Sequence, residues 1–154
     1  MKIIIRKAMH EDANAIYDIT KQAFKIYAEK VGITAFSALT ETFDNIEKDI
    51  ETKEVFIASQ EDLPVGCVRV QINDDNTAYI TRLAVRADFQ RAGIGRTLIE
   101  AVHENLRSLG ISKAYLHTAS KHKRLVIFYY SLGFYIISTS IDKGYIRALM
   151  CKEY

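Results

Sequence analysis

The spacing of apolar residues along this chain switches repeatedly between the helical and the extended period, and this switching restricts the fold to a mixed α/β domain. Leu39, Phe43 and Ile46 recur at gaps of four and three residues, as the buried face of a helix requires. Val68 and Val70 instead alternate with polar residues, which is the pattern of a strand. The same criteria predict helices over residues 11–29, 38–51, 94–109 and 125–132, and strands over residues 3–5, 55–58, 65–72, 78–85, 113–118, 134–140 and 145–151.

The order of these elements, β-α-α-β-β-β-α-β-α-β-β, predicts one central mixed sheet covered by helices. The three strands between residues 55 and 85 are joined by short turns, at 61–64 and 73–76, so we expect them to form an antiparallel meander. No linker or composition shift divides the 154 residues, and we expect residues 1–154 to fold as a single domain.

Composition agrees with a folded domain and argues against several functional classes. Hydrophobic residues make up 49% of the chain and charged residues 26%, which excludes disorder as the main state. A net charge of only +2 argues against a nucleic-acid-binding module. The apolar run at the N-terminus is short, and no stretch approaches the ~18 apolar residues that cross a bilayer. We therefore expect a cytoplasmic protein with no membrane partner.

The cysteines and histidines suggest neither a disulfide nor a metal site. Cys67 and Cys151 lie in apolar, strand-like stretches, and we expect both to be free, buried thiols. The four histidines show no spacing that is typical of metal ligands, so no metal is predicted.

Gly93 and Gly95 stand at the start of the third predicted helix and give the first candidate for a binding site. The first turn of a helix has backbone N–H groups without internal partners and carries partial positive charge. Glycine lets a ligand approach that backbone closely, and Arg91 and Arg96 add fixed charge. These features are typical of a diphosphate site, although a simple glycine-containing turn at the start of a helix would show the same sequence pattern. Leu98 stands where a dinucleotide fingerprint needs its third glycine, and no Walker A lysine follows.

Three stretches of the sequence resemble the GNAT family of N-acetyltransferases. Residues 90–95, Gln-Arg-Ala-Gly-Ile-Gly, match that family's acyl-CoA loop, Q/R-x-x-G-x-G/A. The Leu-Ala-Val strand end at 83–85 precedes the loop, as it does in the family. Residues 128–134, Phe-Tyr-Tyr-Ser-Leu-Gly-Phe, are similar to the family's F-Y-x-x-L-G-F segment. The element order matches too, so the resemblance covers almost the whole chain.

The resemblance implies both a fold and a co-substrate. In the family, the strand before the loop splays from its neighbour, here between the strands at 78–85 and 113–118, and the pantetheine arm of acetyl-CoA lies in the gap. The N–H groups of the loop are expected to hold the CoA pyrophosphate. The basic run at 121–124 is either a solvated helix start or a salt contact with the CoA phosphates. Residue by residue, the resemblance implies that the cofactor binds to the strand-end backbone and to the loop. The strand-end residues are Leu83, Ala84 and Val85, and the loop residues are Gln90, Arg91, Ala92, Gly93, Ile94, Gly95, Arg96 and Thr97.

Tyr129 matches the family tyrosine that would donate a proton to the departing CoA sulfur. A phenol, with a pKa near ~10, stays protonated at neutral pH and can serve a thiolate whose thiol has a pKa near ~8.5. Because Leu125 and Leu132 share its helix face, Tyr129 could equally be a core aromatic residue. Tyr130 lies about 100° further around the helix and is the weaker candidate. The implied reaction is direct attack of a neutral amine on a thioester carbonyl that N–H groups near Val85 polarise.

The sequence departs from the family at the usual position of the catalytic base. Many relatives have a glutamate just ahead of the position that matches Leu83, where this chain has Thr81 and Arg82. Holding a lysine-like amine neutral at pH 7 costs about 4.6 kcal/mol, whereas an α-amine costs only about 1 kcal/mol. The departure therefore favours a less basic amine or a base reached through water. The candidates for that base are Tyr27, Glu29, Glu41 and His117.

The candidate acceptor residues are Tyr27, Arg82 and His117. Arg82 either binds a substrate carboxylate through its guanidinium fork or points to the far face and pairs with a surface acid. His117 either faces the cleft or has a structural role. We expect residues 27–40 and the turn at 140–145 to shape the acceptor, which is a small-molecule amine, a peptide N-terminus or a protein lysine. Relatives often dimerise, so a homodimer is a further expectation.

Two other classes of function compete with the enzyme. A non-catalytic acyl-CoA-binding sensor or interaction module would keep the loop without turnover. Release of CoA from acetyl-CoA across a panel of amines separates this class from the enzyme. A nucleic-acid binder would associate in a strongly salt-dependent manner, and the low net charge argues against it.

Overall fold

A computed structural model describes residues 2–33 and 36–154 of the chain. Its centre is a seven-stranded sheet in the order β1-β2-β3-β4-β5-β7-β6. Helices cover both faces of this sheet. The strands are β1 (Ile3–Lys7), β2 (Glu54–Gln60), β3 (Leu63–Ile72), β4 (Thr77–Val85), β5 (Lys113–Ala119), β6 (Tyr135–Ser140) and β7 (Arg147–Glu153), and the helices are α1 (Ala13–Val31), α2 (Phe43–Thr52), α3 (Ile94–Ser108) and α4 (Lys123–Ser131).

Each face of the sheet has its own apolar core. Ile16 and Ile19 of α1 and Ile46 of α2 are buried against one face, beside Ile57 of β2. The other face packs against α3 and α4 and holds the larger cluster. Leu98, Val102, Leu106, Leu116, Phe134 and Met150 are among its buried members. Because strand side chains alternate between faces, neighbouring residues such as Phe56 and Ile57 serve the two cores in turn.

The sheet is antiparallel except between β4 and β5, and this one parallel pair is short. β4 pairs with β5 only from Thr77 to Tyr79, opposite residues 113–115, and the two strands then separate. On its other edge β4 continues to pair with β3 as far as Val85. The register between β3 and β4 shifts at the point where Arg82 adopts a left-handed φ of 57°. This bulge bends β4 away from β5, because an extra residue on one strand locally kinks and twists it. The predicted splay between the two strands is thus confirmed.

The prediction of the elements and their order is confirmed, and the differences lie at element boundaries. The turn predicted at 61–64 is only two residues long, because Leu63 and Pro64 already belong to β3. Pro64 is accommodated there because it lies beyond the end of β4, where β3 has a partner on one side only. The second helix begins at Phe43 instead of residue 38, since the side chain of Thr42 accepts a hydrogen bond from the Asn45 N–H and caps the helix.

Two further observations bear on the expectations above. Cys67 and Cys151 are both free and buried, as predicted, and burial raises the pKa of the Cys67 thiol to about 11. Over residues 2–33 and 36–154, no helix combines the length and the apolar character needed to cross a bilayer.

Candidate active site

A cleft of about 770 Å³ opens where β4 and β5 separate. The separated ends of both strands form its floor, and α1, α3 and α4 supply its walls. The cleft is lined by residues from each set predicted from the sequence: the cofactor-binding strand end and loop, the candidate acid, and the candidate acceptor residues. The residues lining it include Tyr27, Arg82, Leu83, Ala84, Val85, Gln90, Arg91, Gly93, Gly95, Arg96, His117 and Tyr129.

The floor of the cleft presents the backbone of β4. Arg86 donates its N–H to the Val65 carbonyl of β3, and Ala84 pairs with Cys67 of the same strand. Because backbone groups alternate in direction along a strand, those of Leu83 and Val85 face the gap. Ala84 therefore differs from the expectation, since its backbone polar groups are directed towards β3. The Val85 carbonyl accepts a hydrogen bond of 3.3 Å from the side-chain amide of Gln90.

The start of α3 forms the rim of the cleft and offers unpaired backbone donors. Gly93 has a φ of 75°, and a Cβ placed on it would have no heavy atom within 4 Å, so the backbone there is open. The N–H groups of Ala92 and Thr97 are already bonded, to the carbonyls of Phe89 and Gly93. Within the described ranges, the remaining N–H groups of the loop's end and the helix's first turn make no such bond; they belong to Arg91, Gly93, Ile94, Gly95 and Arg96.

Positive side chains surround this rim. Arg91, Arg96, Arg124 and Lys30 all line the mouth of the cleft. Arg96 is oriented by a 2.6 Å hydrogen bond to the Ser131 hydroxyl of α4. Free N–H groups, a helix N-terminus and several cations in one place fit the charge and the oxygen acceptors of a diphosphate.

Tyr129 occupies the inner wall of the cleft. Its ring makes edge contacts with Phe128 and Phe134, at centroid distances of 5.2 Å and 5.7 Å, and the residue is only 6% exposed. Burial raises the pKa of the Tyr129 phenol, and nearby Tyr27 adds to the rise. Its hydroxyl makes no hydrogen bond to any other described residue. Tyr129 is thus a core aromatic residue that also lines the cleft, and its phenol is protonated at neutral pH.

His117 and Tyr79 form a hydrogen-bonded pair on the opposite side of the gap. The His117 Nδ1 atom shares a hydrogen bond with the Tyr79 hydroxyl, and the two rings lie edge to face at 5.6 Å. Burial lowers the pKa of His117, and the charge of Arg147 lowers it further. The imidazole is therefore neutral at pH 7 and lines the cleft.

Tyr27 joins α1 to the end of β5. Its hydroxyl accepts a hydrogen bond of 2.9 Å from the Ala119 N–H. Its ring stacks on Phe36 on one side, at 4.9 Å, and on His122 on the other, at 5.3 Å. His122 also caps α4 by accepting the Leu125 N–H. These contacts give Tyr27 a structural role in closing the cleft wall.

Arg82 lines the cleft and also meets an acid, which is the buried Glu41 and not a surface acid on the far face. It lies 3.4 Å from a Glu41 carboxylate oxygen and donates to the Ser37 hydroxyl at 3.1 Å. Glu41 is itself held by Arg69, at 2.6 Å and 2.8 Å, and Arg69 also contacts Asp49 at 3.0 Å. These residues form a largely buried ion-pair network beside the cleft.

The four candidate bases are placed very differently. Both oxygens of Glu41 are committed to Arg69, and the Tyr27 hydroxyl is bound to the end of β5. Glu29 is exposed on α1 and is not among the residues that line the cleft. His117 alone among the four combines a neutral nitrogen with a position in the cleft.

Sequence reasoning missed three contributors to the site. Arg69 sits in an alternating strand pattern that indicates an outward polar residue, yet it is 1% exposed because α2 and the segment before it cover that position. Tyr79 and Arg147 belong to no motif that could be recognised in the sequence. Within the described ranges, no three or more His, Cys, Asp or Glu side chains are arranged to hold a metal ion.

Comparison with known sequences finds one matching family model and several curated relatives. A family model described as the acetyltransferase (GNAT) family matches residues 13–134. An uncharacterized N-acetyltransferase of Chlorobaculum tepidum is 31% identical over 114 residues, which are 74% of this chain and 66% of that protein. The chain spans only 29% and 20% of two longer curated relatives, the latter a mycothiol acetyltransferase of Propionibacterium freudenreichii.

Solved structures share the whole fold at low sequence identity. The PaiA N-acetyltransferase of Thermoplasma acidophilum, solved in complex with coenzyme A, superposes with a TM-score of 0.87 at 21% identity, with all of both chains covered. The ribosomal-protein-S18-alanine N-acetyltransferase of Escherichia coli superposes with a TM-score of 0.81, also at 21% identity. The superposition covers 99% of this chain and 94% of that protein's chain.

Proposed function

Because the chain belongs to the GNAT family of acetyltransferases, we propose that it transfers the acetyl group of acetyl-CoA to a primary amine by direct attack. One observation carries this proposal. The gap between β4 and β5 runs from a rim of free N–H groups at α3 to the hydroxyl of Tyr129. A single extended molecule, with a diphosphate at one end and a reactive thioester at the other, fits such a path.

Binding of CoA would use backbone groups more than side chains. The N–H groups of Arg91 and of residues 93–96 would hold the pyrophosphate, with Arg91 and Arg96 adding charge. The backbone of Leu83 and Val85 would pair with the pantetheine arm. Gln90 contributes by bonding the Val85 carbonyl, which fixes the loop against the strand. Ala92 and Thr97 would shape the loop, because their N–H groups are used internally.

Acetyl-CoA supplies an activated acyl carbon, and the protein's residues supply geometry and protons. The Val85 N–H faces the gap and would polarise the thioester carbonyl. As the nitrogen–carbon bond forms and the carbon–sulfur bond breaks, Tyr129 would donate its proton to the leaving sulfur. The raised pKa of this phenol keeps the proton in place until the thiolate develops.

We assign to His117 the proton that the attacking amine loses. When its Nδ1–H donates to the Tyr79 oxygen, the neutral ring presents the Nε2 lone pair. Burial lowers the pKa of His117, so the ring is a weak base, which suffices for the acidic N–H that the amine nitrogen carries once it has attacked the carbonyl. This assignment agrees with the missing glutamate at position 81 or 82.

The proposal is tested by mixing the protein with acetyl-CoA and a panel of amines while following thiol release. The panel contains small amines, amino acids, peptide N-termini and lysine peptides. Turnover with at least one amine, together with calorimetric binding of CoA, supports the enzyme. Tight CoA binding with no turnover supports the sensor class, and absence of CoA binding contradicts the proposal as a whole.

A further inference from the structure

We infer that the acceptor carries a carboxylate on the same molecule as its amine, and that Arg82 binds this carboxylate. The inference rests on the proposed function and names the substrate class of the same site. Arg82 is the β4 residue at the bulge, it lines the cleft, and it lies on the face of the sheet covered by α1 and α2.

The positive charge of Arg82 is only partly neutralised within the chain. Both Glu41 oxygens lie closer to Arg69, at 2.6 Å and 2.8 Å, than the 3.4 Å that separates Glu41 from the Arg82 Nε atom. The one other bond of the Arg82 guanidinium, among the residues described, goes to the neutral Ser37 hydroxyl. With its side chain 22% exposed, this guanidinium keeps N–H donors available to a bidentate anion.

The bulge places Arg82 at an energetic cost to the backbone. A non-glycine residue with a φ of 57° is strained, because the Cβ crowds the following carbonyl. Glu41 and Ser37 hold the side chain from one side, and buried Arg69 holds Glu41 in turn. Glu41 is therefore a positioning residue, which orients Arg82 without consuming its charge.

A second arginine, Arg147, adds positive charge near His117, although it is not among the residues that line the cleft. Arg147 stands at the start of β7, and its contact with Asp142 is long, at 3.6 Å. The Arg147 Nε atom is buried and has no hydrogen-bond partner among the described residues. Arg147 and Arg82 both lie within electrostatic reach of the Tyr79 phenol: burial raises the pKa of Tyr79, and both charges oppose the rise.

This arrangement discriminates between classes of amine. A polyamine would bring further positive charge beside Arg82, which is unfavourable in a partly desolvated cleft. An amino acid or a similar small zwitterion would place its carboxylate on Arg82 and its amine towards His117. The guanidinium fork matches a carboxylate, whereas a carboxamide at the same position would leave the cation unpaired.

The test compares matched acceptors that differ only in the carboxylate. The kcat/KM for thiol release is measured with a panel of L-amino acids, with the corresponding α-carboxamides and with spermidine. Each value is expressed per neutral amine so that differences in amine pKa cancel. We expect the wild type to favour the best acid over its amide by about 30-fold, a typical effect of a charge-assisted hydrogen bond. A ratio of one or below overturns the inference.

Variants then locate the effect at Arg82. Arg82→Gln should bring the acid-to-amide ratio close to one. Arg107→Gln, an exposed arginine at the far end of α3, should keep the wild-type ratio. Thermal melting and CoA binding of Arg82→Gln check that it is folded. A wild-type ratio in folded Arg82→Gln overturns the inference.

A binding readout separates this inference from the proposed function. If CoA binds but no amine is acetylated, the proposed function fails. The CoA-loaded protein is then titrated with N-acetyl amino acids and with their amides. Weaker binding of the amide, abolished by Arg82→Gln, supports the carboxylate site, and equal binding or none overturns it.

Discussion

The two halves of the cleft present different chemical groups to a ligand, backbone groups in one and side chains in the other. The half at the start of α3 offers backbone N–H groups, which Gly93 and Gly95 leave uncovered. The half at Arg82 offers side chains, and Arg82 itself depends on a chain of contacts through Glu41 to buried Arg69. A backbone site survives most side-chain changes nearby, whereas a side-chain site is as specific, and as vulnerable, as its supporting contacts.

The largest expected effect tests that dependence in the acceptor half. Glu41→Gln should lower the free energy of unfolding by about 4 kcal/mol, because it leaves Arg69 as a buried charge without its main partner. Urea denaturation measures the change, and the exposed substitution Glu104→Gln serves as the control. CoA affinity of the folded fraction should stay at the wild-type value. A loss of stability below about 1 kcal/mol would show that the network does not support this half.

The second prediction addresses the backbone half. A Cβ on Gly95 would stand 3.4 Å from Phe128 and 3.9 Å from Val85, so alanine fits, but a leucine side chain would extend into the gap. Gly95→Leu should weaken CoA binding by at least ~100-fold, the size of a steric penalty of about 3 kcal/mol. Stability should be equal or higher, by up to about 1 kcal/mol, because leucine is the better helix former.

Calorimetry with CoA and a thermal melt measure these two outcomes. Glu104→Leu, on the exposed side of the same helix, controls for added apolar bulk. Unchanged affinity in Gly95→Leu would mean that CoA does not bind against the first turn of α3.

Tyr129→Phe should lower kcat by about 100-fold, which is the usual contribution of a positioned general acid. The aromatic contacts with Phe128 and Phe134 are kept by phenylalanine, so stability and CoA affinity should change little. The matched control is Tyr130→Phe, because the hydroxyl of Tyr130 accepts the Ile136 N–H and Tyr130 is not among the residues that line the cleft. Equal kcat values for the two variants would remove the acid role from Tyr129.

His117→Gln should lower kcat by about 10-fold and change its pH dependence. Burial lowers the pKa of His117 below its ordinary value of 6.5, so the base is neutral at pH 7 and loses activity only as it is protonated at lower pH. The wild-type kcat/KM, expressed per neutral amine, should therefore stay level from pH 8 to pH ~6.5 and fall on the acid side. That acid limb should vanish in the variant. Persistence of the same limb would assign it to another group.

The difference between the halves also explains what the sequence could predict. The glycines at 93 and 95 fix a local backbone shape, and neighbours in sequence are enough to recognise it. The element order was predictable for the same reason, because the spacing of apolar residues that marks a helix or a strand is set by residues close together in sequence. Arg69, Glu41 and Arg82 come together only through the packing of α2 over β3 and β4, which no local pattern encodes. Likewise, Pro64 was predicted to lie in a turn, but it belongs to β3. Proline is tolerated there because β4 ends before reaching it, and the sequence does not show where β4 ends.

The central claim is that CoA lies along the β4–β5 gap with its pyrophosphate on the first turn of α3. A titration of the 15N-labelled protein with CoA, followed by amide chemical shifts, tests it most directly. The largest shifts are predicted at Arg91, at residues 93–96, and at Leu83 and Val85. Shifts concentrated elsewhere, for example on β1 or at the exposed end of α3, or no shifts at all, would contradict it.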